Sequence, residues 1–195
     1  MPAICVYCGS NAGGNPKYLE AARETGRLIA QRGYQVVYGG GNVGMMGALA
    51  DAALAVGGEV IGVIPTLLEE RELAHTGLTR LHTVSSMHER KALMASLSDC
   101  FLALPGGIGT LEEIIEVLVW TKLGIHPKAC GVLNTAGFYD SLMAFLRDMV
   151  SQGFLAPDHF SHLKVADEPA FAIDQLISYT PPACPHPAGD VALEA

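Results

Sequence analysis

Short runs of aliphatic and β-branched residues alternate along this chain with longer segments whose apolar positions recur every three or four residues. The first pattern reads as buried strands and the second as helices with one apolar face. Their regular alternation predicts an α/β fold: a doubly wound, mainly parallel sheet with helices on both faces. Strands are expected at 3–8, 35–38, 60–64, 79–84, 100–104, 129–133 and 163–165. Helices are expected between Asn15-Pro16 and Gly33, from the 39–47 glycine block to about Val56, and over 86–97, 111–123, 138–152 and 169–178. Asn15 followed by Pro16 has the form of an N-cap with proline at the first helical position, and Ser86 with Glu89 is spaced as a capping box. Residues 66–77 are charged and expected to be an irregular loop over a site. Residues 1–179 are expected to form one domain. The four prolines and absent periodicity of 180–195 predict a mobile tail.

Composition narrows the classes. Half of the 195 residues are apolar and 22 are glycine, which suits a buried sheet with many tight turns. The net charge of −8 argues against nucleic acid as a partner. No apolar run approaches the roughly 20 residues needed to span a membrane, and the first residues lack the basic start and apolar core of a signal peptide, so the expected location is cytoplasmic. Five cysteines, an odd number without framework spacing, fit a reducing compartment. Cys5 and Cys8 read C-x-x-C, but on a strand they would face opposite ways. The histidines show no metal-ligand spacing, and no metal or cofactor is expected.

Chemistry concentrates in Pro105-Gly-Gly-Ile-Gly-Thr-Leu-Glu-Glu113, between an apolar strand and a long apolar helix. Glycines admit close backbone approach, and the free N–H groups of a helix start attract an anion, so Gly106, Gly107, Ile108, Gly109, Thr110 and Leu111 are candidate phosphate-binding residues. Glu112 and Glu113 are expected in the first helical turn beside that anion. Thr110 and Glu113 also have capping-box spacing, a purely structural alternative. Met87-His-Glu-Arg-Lys91 opens another helix at the carboxyl end of a strand, so Arg90 and Lys91 either face the same cleft or are solvated surface cations. Gly39-x-Gly41-x-x-Gly44 matches a dinucleotide fingerprint, but Glu59 stands at the wrong end of its strand for the ribose-binding acid and Asp51 lies in the helix. The 111–123 helix is apolar almost all round, which predicts either a central core helix or a homodimer contact.

These residues resemble the LOG family of cytokinin riboside 5′-monophosphate phosphoribohydrolases. The paired signatures P-G-G-x-G-T-x-x-E and M-H-x-R-K stand here at 105–113 and 87–91, and the 38–47 glycine block and the Cys8-Gly9-Ser10 turn are also similar. The resemblance covers about residues 3–155. It implies a modified Rossmann fold, hydrolysis of a nucleoside 5′-monophosphate at its N-glycosidic bond, and Glu113 and Arg90 as the catalytic pair. Substrate-binding positions implied are Glu72, Met87, Lys91, Gly9, Ser10, Gly40, Gly41, Gly44 and the 106–112 loop. Val119 stands where members often carry threonine, which removes one hydroxyl. Relatives labelled lysine decarboxylases exist, but nothing here marks a pyridoxal-phosphate lysine. A related alternative is a non-catalytic carrier of a nucleotide or of molybdenum cofactor, which would need the glycine loop but not the Glu113–Arg90 pair.

Overall fold

The computed structural model describes residues 1–69 and 74–181. Among the described residues, seven strands form one sheet: β1 (Ala3–Tyr7), β2 (Gln35–Tyr38), β3 (Val60–Pro65), β4 (Arg80–Val84), β5 (Cys100–Ala103), β6 (Ala129–Leu133) and β7 (Leu163–Ala166). Their order is β4-β3-β2-β1-β5-β6-β7, and every pairing is parallel. The helices are α1 (Pro16–Gln31), α2 (Gly44–Ala55), α3 (Thr66–Glu69), α4 (Met87–Ser96), α5 (Ile108–Lys122), α6 (Asp140–Ser151), α7 (Pro157–Ser161) and α8 (Pro169–Ile177), with a 3₁₀ turn at Thr135–Gly137.

Parallel strands joined by helical crossovers are covered on both sides, and the residues of β1 show it. Ile4, Val6 and Cys8 pack into one apolar cluster with Ala22, Ile29, Leu49 and Ile173 from α1, α2 and α8. Ala3, Cys5 and Tyr7 pack into the other with Met94, Ile114, Val117 and Met143 from α4, α5 and α6. Cys5 and Cys8 therefore lie on opposite faces and make no pair, as strand geometry requires. On the first face α1 and α2 approach so closely that a Cβ on Gly26 would sit 2.1 Å from the Leu49 carbonyl oxygen.

Local signals act as expected at several helix starts. Asn15 caps α1 by accepting the Lys17 N–H, with Pro16 at the first position. Ser86 accepts the Glu89 N–H at the start of α4, while the Glu89 carboxylate reaches Ser85 rather than Ser86. The charged 66–77 stretch begins with the short helix α3, and Glu70, Arg71, Glu72 and Leu73 lie outside the described residues, as does 182–195 of the expected tail.

Two expectations change. The capping box at Thr110 is not formed: α5 begins at Ile108, because extended Gly107 (φ −90°, ψ −162°) is the N-cap and its carbonyl takes the Leu111 N–H at 3.1 Å. Glu112 and Glu113 consequently occupy the second turn, and no acid lies in the first. Nor is α5 a fully embedded helix: Thr110, Glu113, Ile114 and Val117 are buried, whereas Val119 is exposed and Leu123 just beyond the helix is 65% exposed.

Candidate functional site

Strand order reverses direction between β1 and β5, and in sheets of this kind a crevice opens at the carboxyl ends of the strands where the order turns. Register places Tyr7 opposite Ala103 and Val6 opposite Tyr38, so the turns after β1, β2 and β5 meet at one edge. The Gly9 N–H donates to Pro105 O at 3.2 Å, and a Cβ on Gly9 would lie 3.4 Å from Gly106 Cα. A Cβ on Gly106 would overlap the buried Thr110 side chain, 2.2 Å from its Oγ1. Small residues are thus required for the β1 and β5 turns to nest. Gly107, Ile108 and Gly109 remain exposed, and α5 has no side-chain cap, so its first N–H groups are open to a ligand.

The two cations after β4 are not solvated. Arg90 is 4% exposed and Lys91 9%. Arg90 Nη2 donates to Gly39 O at 3.2 Å and Nη1 contacts Met87 Sδ at 3.8 Å, while Nε is buried with no partner among the described residues. Lys91 Nζ is held by Glu112 and, at 3.0 Å, by Glu116. Burial alone would lower the Lys91 pKa, but the Glu112 and Glu116 carboxylates outweigh it and raise the pKa above its usual value. His88 is exposed.

Glu113 is 8% exposed, and its charge reaches the end of β1. Burial pushes the Cys5, Tyr7 and Cys8 side chains up, and the Glu113 charge pushes each of them further; at Cys8 the Arg90 charge opposes it. Carboxylate and guanidinium therefore act on the same thiol, in surroundings poor enough in water to strengthen both fields.

The Gly-x-Gly-x-x-Gly stretch has a structural explanation that owes nothing to a dinucleotide. A Cβ on Gly39 would lie 2.1 Å from Arg90 Nη2. Gly41 bridges Ala74 in antiparallel fashion. Gly44 has φ +61°, and a Cβ there would lie 2.3 Å from Ser10 O. The block thus joins the Arg90 helix, the 74–77 strap and the Ser10 turn. Glu59 lies at the amino edge of the sheet, bonded to Gln35.

The structure brings Gly9, Ser10, Gly40, Gly41, Gly44, Met87, Arg90, Lys91 and the 106–113 segment to the carboxyl edge of the sheet. Glu72 falls outside the described residues, and Val119 is exposed on α5, two turns beyond Glu113. Sequence reasoning missed Gly39 as the seat of Arg90 and His75 as a neighbour of the glycine turn. The overlapping glycine block was a usable signal for the first; nothing local marks the second. Among the described residues no group of His, Cys, Asp or Glu is arranged to hold a metal. Two surface pockets, of about 540 and 500 Å³, are not lined by Glu113; one lies beside Arg23 and Asn42 and the other beside Lys17 and Thr135.

A Rossmann-type sheet with a glycine-lined, uncapped helix start at its switch point and buried acid and guanidinium groups beside it defines an α/β protein with a candidate anion-binding crevice. The family profile described as "Possible lysine decarboxylase" matches residues 46–176. A cytokinin riboside 5′-monophosphate phosphoribohydrolase from Rhodococcoides fascians is 46% identical over 177 residues, covering 90% of this chain and 89% of that protein. One from Arabidopsis thaliana is 44% identical over 178 residues, covering 91% and 84%. The chain belongs to this family, the LOG phosphoribohydrolases. Among solved structures, the molybdenum cofactor carrier protein of Chlamydomonas reinhardtii matches with a TM-score of 0.69 over 92% of this chain and 99% of that one, at 22% identity, a likeness of fold alone.

Proposed function

We propose that the protein hydrolyses the N-glycosidic bond of purine nucleoside 5′-monophosphates, AMP and N6-modified cytokinin nucleotides among them, releasing the free base and ribose 5-phosphate. The observation that carries this reading is a buried carboxylate, Glu113, and a buried guanidinium, Arg90, acting together beside a glycine turn with open helix N–H groups. The names of relatives 44–46% identical over nine-tenths of the chain support it.

In this reading the 5′-phosphate rests on Gly106, Gly107, Ile108, Gly109 and Thr110, where first-turn N–H groups and the helix dipole favour an anion. Breaking the bond from the anomeric carbon to the base nitrogen leaves positive charge on the ribosyl ring. The Glu113 carboxylate stabilises that charge, and its field is strong because water is largely excluded around it. The base leaves with the bonding electrons and takes up a proton, and a water oxygen bonds the anomeric carbon and gives up one. Arg90, fixed by the bond from Nη2 to Gly39 O, orients the nucleotide and supports the Glu113 carboxylate. Met87, Lys91, Leu111, Glu112, Gly9, Ser10, Gly40, Gly41, Gly44 and Glu72 are assigned to substrate binding from the family positions they match. A pyridoxal-phosphate decarboxylase is disfavoured: Lys91, the buried lysine of the site, is committed to two carboxylates.

The exposed apolar residues Leu123, Ile125, Phe145 and Phe154, 57–81% exposed, support a homodimer through the α5–α6 side. Four free, buried cysteines among the described residues support a reducing cytoplasm. The test of the function is chromatography of products from AMP, an N6-prenylated nucleotide and adenosine. Base and ribose 5-phosphate from the nucleotides but not from adenosine is the expected result. Tight AMP binding with no cleavage of either nucleotide would replace hydrolysis with a carrier role.

A further inference from the structure

Each carbonyl of the Gly39–Gly40–Gly41 turn is taken by a donor from a different part of the chain. Gly39 O accepts from Arg90 Nη2 at 3.2 Å, Gly40 O from the His75 backbone N–H at 3.0 Å, and Gly41 O from the Tyr38 hydroxyl at 3.0 Å. The middle donor belongs to a strap, residues 74–77, that also bridges Gly41 through Ala74. The strap is pinned by the ring of His75, which is 8% exposed. Its Nδ1 accepts the Gly77 N–H at 3.0 Å, which assigns the ring proton to Nε2, 3.0 Å from Asp51 Oδ1. Asp51 belongs to α2, the helix that the glycine turn itself opens. The contacts close a circuit from α2 through His75 to the turn and back to α2.

We propose that His75 is a positioning residue for Arg90. The guanidinium donates from Nη2 to Gly39 O and makes a longer contact from Nη1 to Met87 Sδ, so the position of the Gly39 carbonyl bears directly on its plane. Gly39 is joined by one peptide to Gly40, whose carbonyl the strap holds. A loosened strap frees the Gly40 carbonyl, the turn rotates, and Gly39 O no longer fixes the guanidinium plane. Gly40 itself stands at φ +81°, and a Cβ added there would lie 3.3 Å from the Ile64 and Leu81 side chains, so the turn has a defined resting position to lose. His75 touches no substrate in this account; it acts through the turn.

The activity readout rests on the hydrolase reading above, so the test pairs it with one that does not. The variants are His75→Ala, His75→Gln, Arg90→Ala and the double variant His75→Ala with Arg90→Ala. His75→Ala is expected to lower kcat on AMP about tenfold with KM little changed and thermal stability nearly kept. His75→Gln, whose amide can still donate to Asp51, is expected to recover most of the loss. In the Arg90→Ala background, His75→Ala is expected to add nothing. Hydrogen exchange, which needs no turnover, is expected to show the amide of residue 75 exchanging faster in His75→Ala. Losses that multiply in the double variant, or no recovery with glutamine, would overturn the proposal. So would an unchanged exchange rate at residue 75, whether or not the wild type cleaves AMP. Failure of the wild type to cleave AMP while that amide responds would count against the hydrolase reading and support the clamp.

Discussion

Two glycines carry the same clash distance and should fail in different ways. A Cβ at Gly39 would stand 2.1 Å from Arg90 Nη2, and a Cβ at Gly26 would stand 2.1 Å from Leu49 O. Neither glycine has positive φ, so alanine brings no backbone strain at either position. What differs is the neighbour. At Gly39 it is the tip of a flexible side chain, which can swing away by the 1.3 Å or more that separates 2.1 Å from the 3.4 Å of ordinary contact. That swing breaks the 3.2 Å bond to Gly39 O, a hydrogen bond to a charged group worth about 1.5–3 kcal/mol. If Arg90 must hold its plane in the transition state, the loss corresponds to roughly 10- to 150-fold in turnover. At Gly26 the neighbour is helix backbone, so α1 and α2 must separate, an overpacking cost of about 1–3 kcal/mol. For a chain of this size that lowers Tm by roughly 2–12 °C. Both variants are therefore expected to lose some stability, but Gly39→Ala is expected to lose kcat on AMP per folded molecule, whereas Gly26→Ala is expected to keep it. Gly14, around which a Cβ meets nothing within 4 Å, is the alanine control. Thermal melts with initial-rate assays decide it. Wild-type turnover in Gly39→Ala would refute the link between the glycine turn and Arg90.

Three further outcomes are expected. Burial, with the Lys128 charge adding to it, lowers the His126 pKa from 6.5 to about 4, so its contribution to stability is present above 6.5 and is lost as pH falls toward 4; urea melts should show a shallower acid loss for His126→Asn, whose carbonyl can still accept the Lys128 N–H. Lys91 has its pKa raised by Glu112 and Glu116 against its burial, so its contribution is present below 10.5 and is lost as pH rises through the folded value; stability of wild type relative to Lys91→Met should decline on that alkaline limb. Leu123→Glu, on the exposed apolar side of α5, should shift light-scattering mass from dimer to monomer, and a wild type that is monomeric throughout the micromolar range would remove the dimer.

Much of the architecture was legible because β1, β2, β3 and β5 are short apolar runs closed by glycine or proline. Residues 35–38 and 129–133 were bounded as the structure has them. The start of α5 was not. Thr110 and Glu113 have the spacing of a cap, but the extended backbone of Gly107 closes the first helical bond three residues earlier. The short α7 and the 3₁₀ turn were missed because five and three residues are too few for a periodic signal. Of the site, the 105–113 and 87–91 motifs were visible as types of residue. That Arg90 and Lys91 are buried was not, because burial depends on which strand β4 joins and which turn then lies over α4. The same limit hid His75. Its partners, Gly40 and Asp51, are 35 and 24 positions away, and only the order of β2, β3 and β4 brings them together.

In the proposed reaction, Glu113 supplies the negative charge that favours cleavage of the ribosyl–base bond. AMP turnover and AMP affinity, measured together on wild type and Glu113→Gln, decide this role, because the exchange keeps shape and removes charge. The variant is expected to bind AMP within about threefold of wild type and to lose about a thousandfold or more in kcat, as removal of a transition-state electrostatic contact does. A Glu113→Gln protein that still releases adenine and ribose 5-phosphate at the wild-type rate would contradict it.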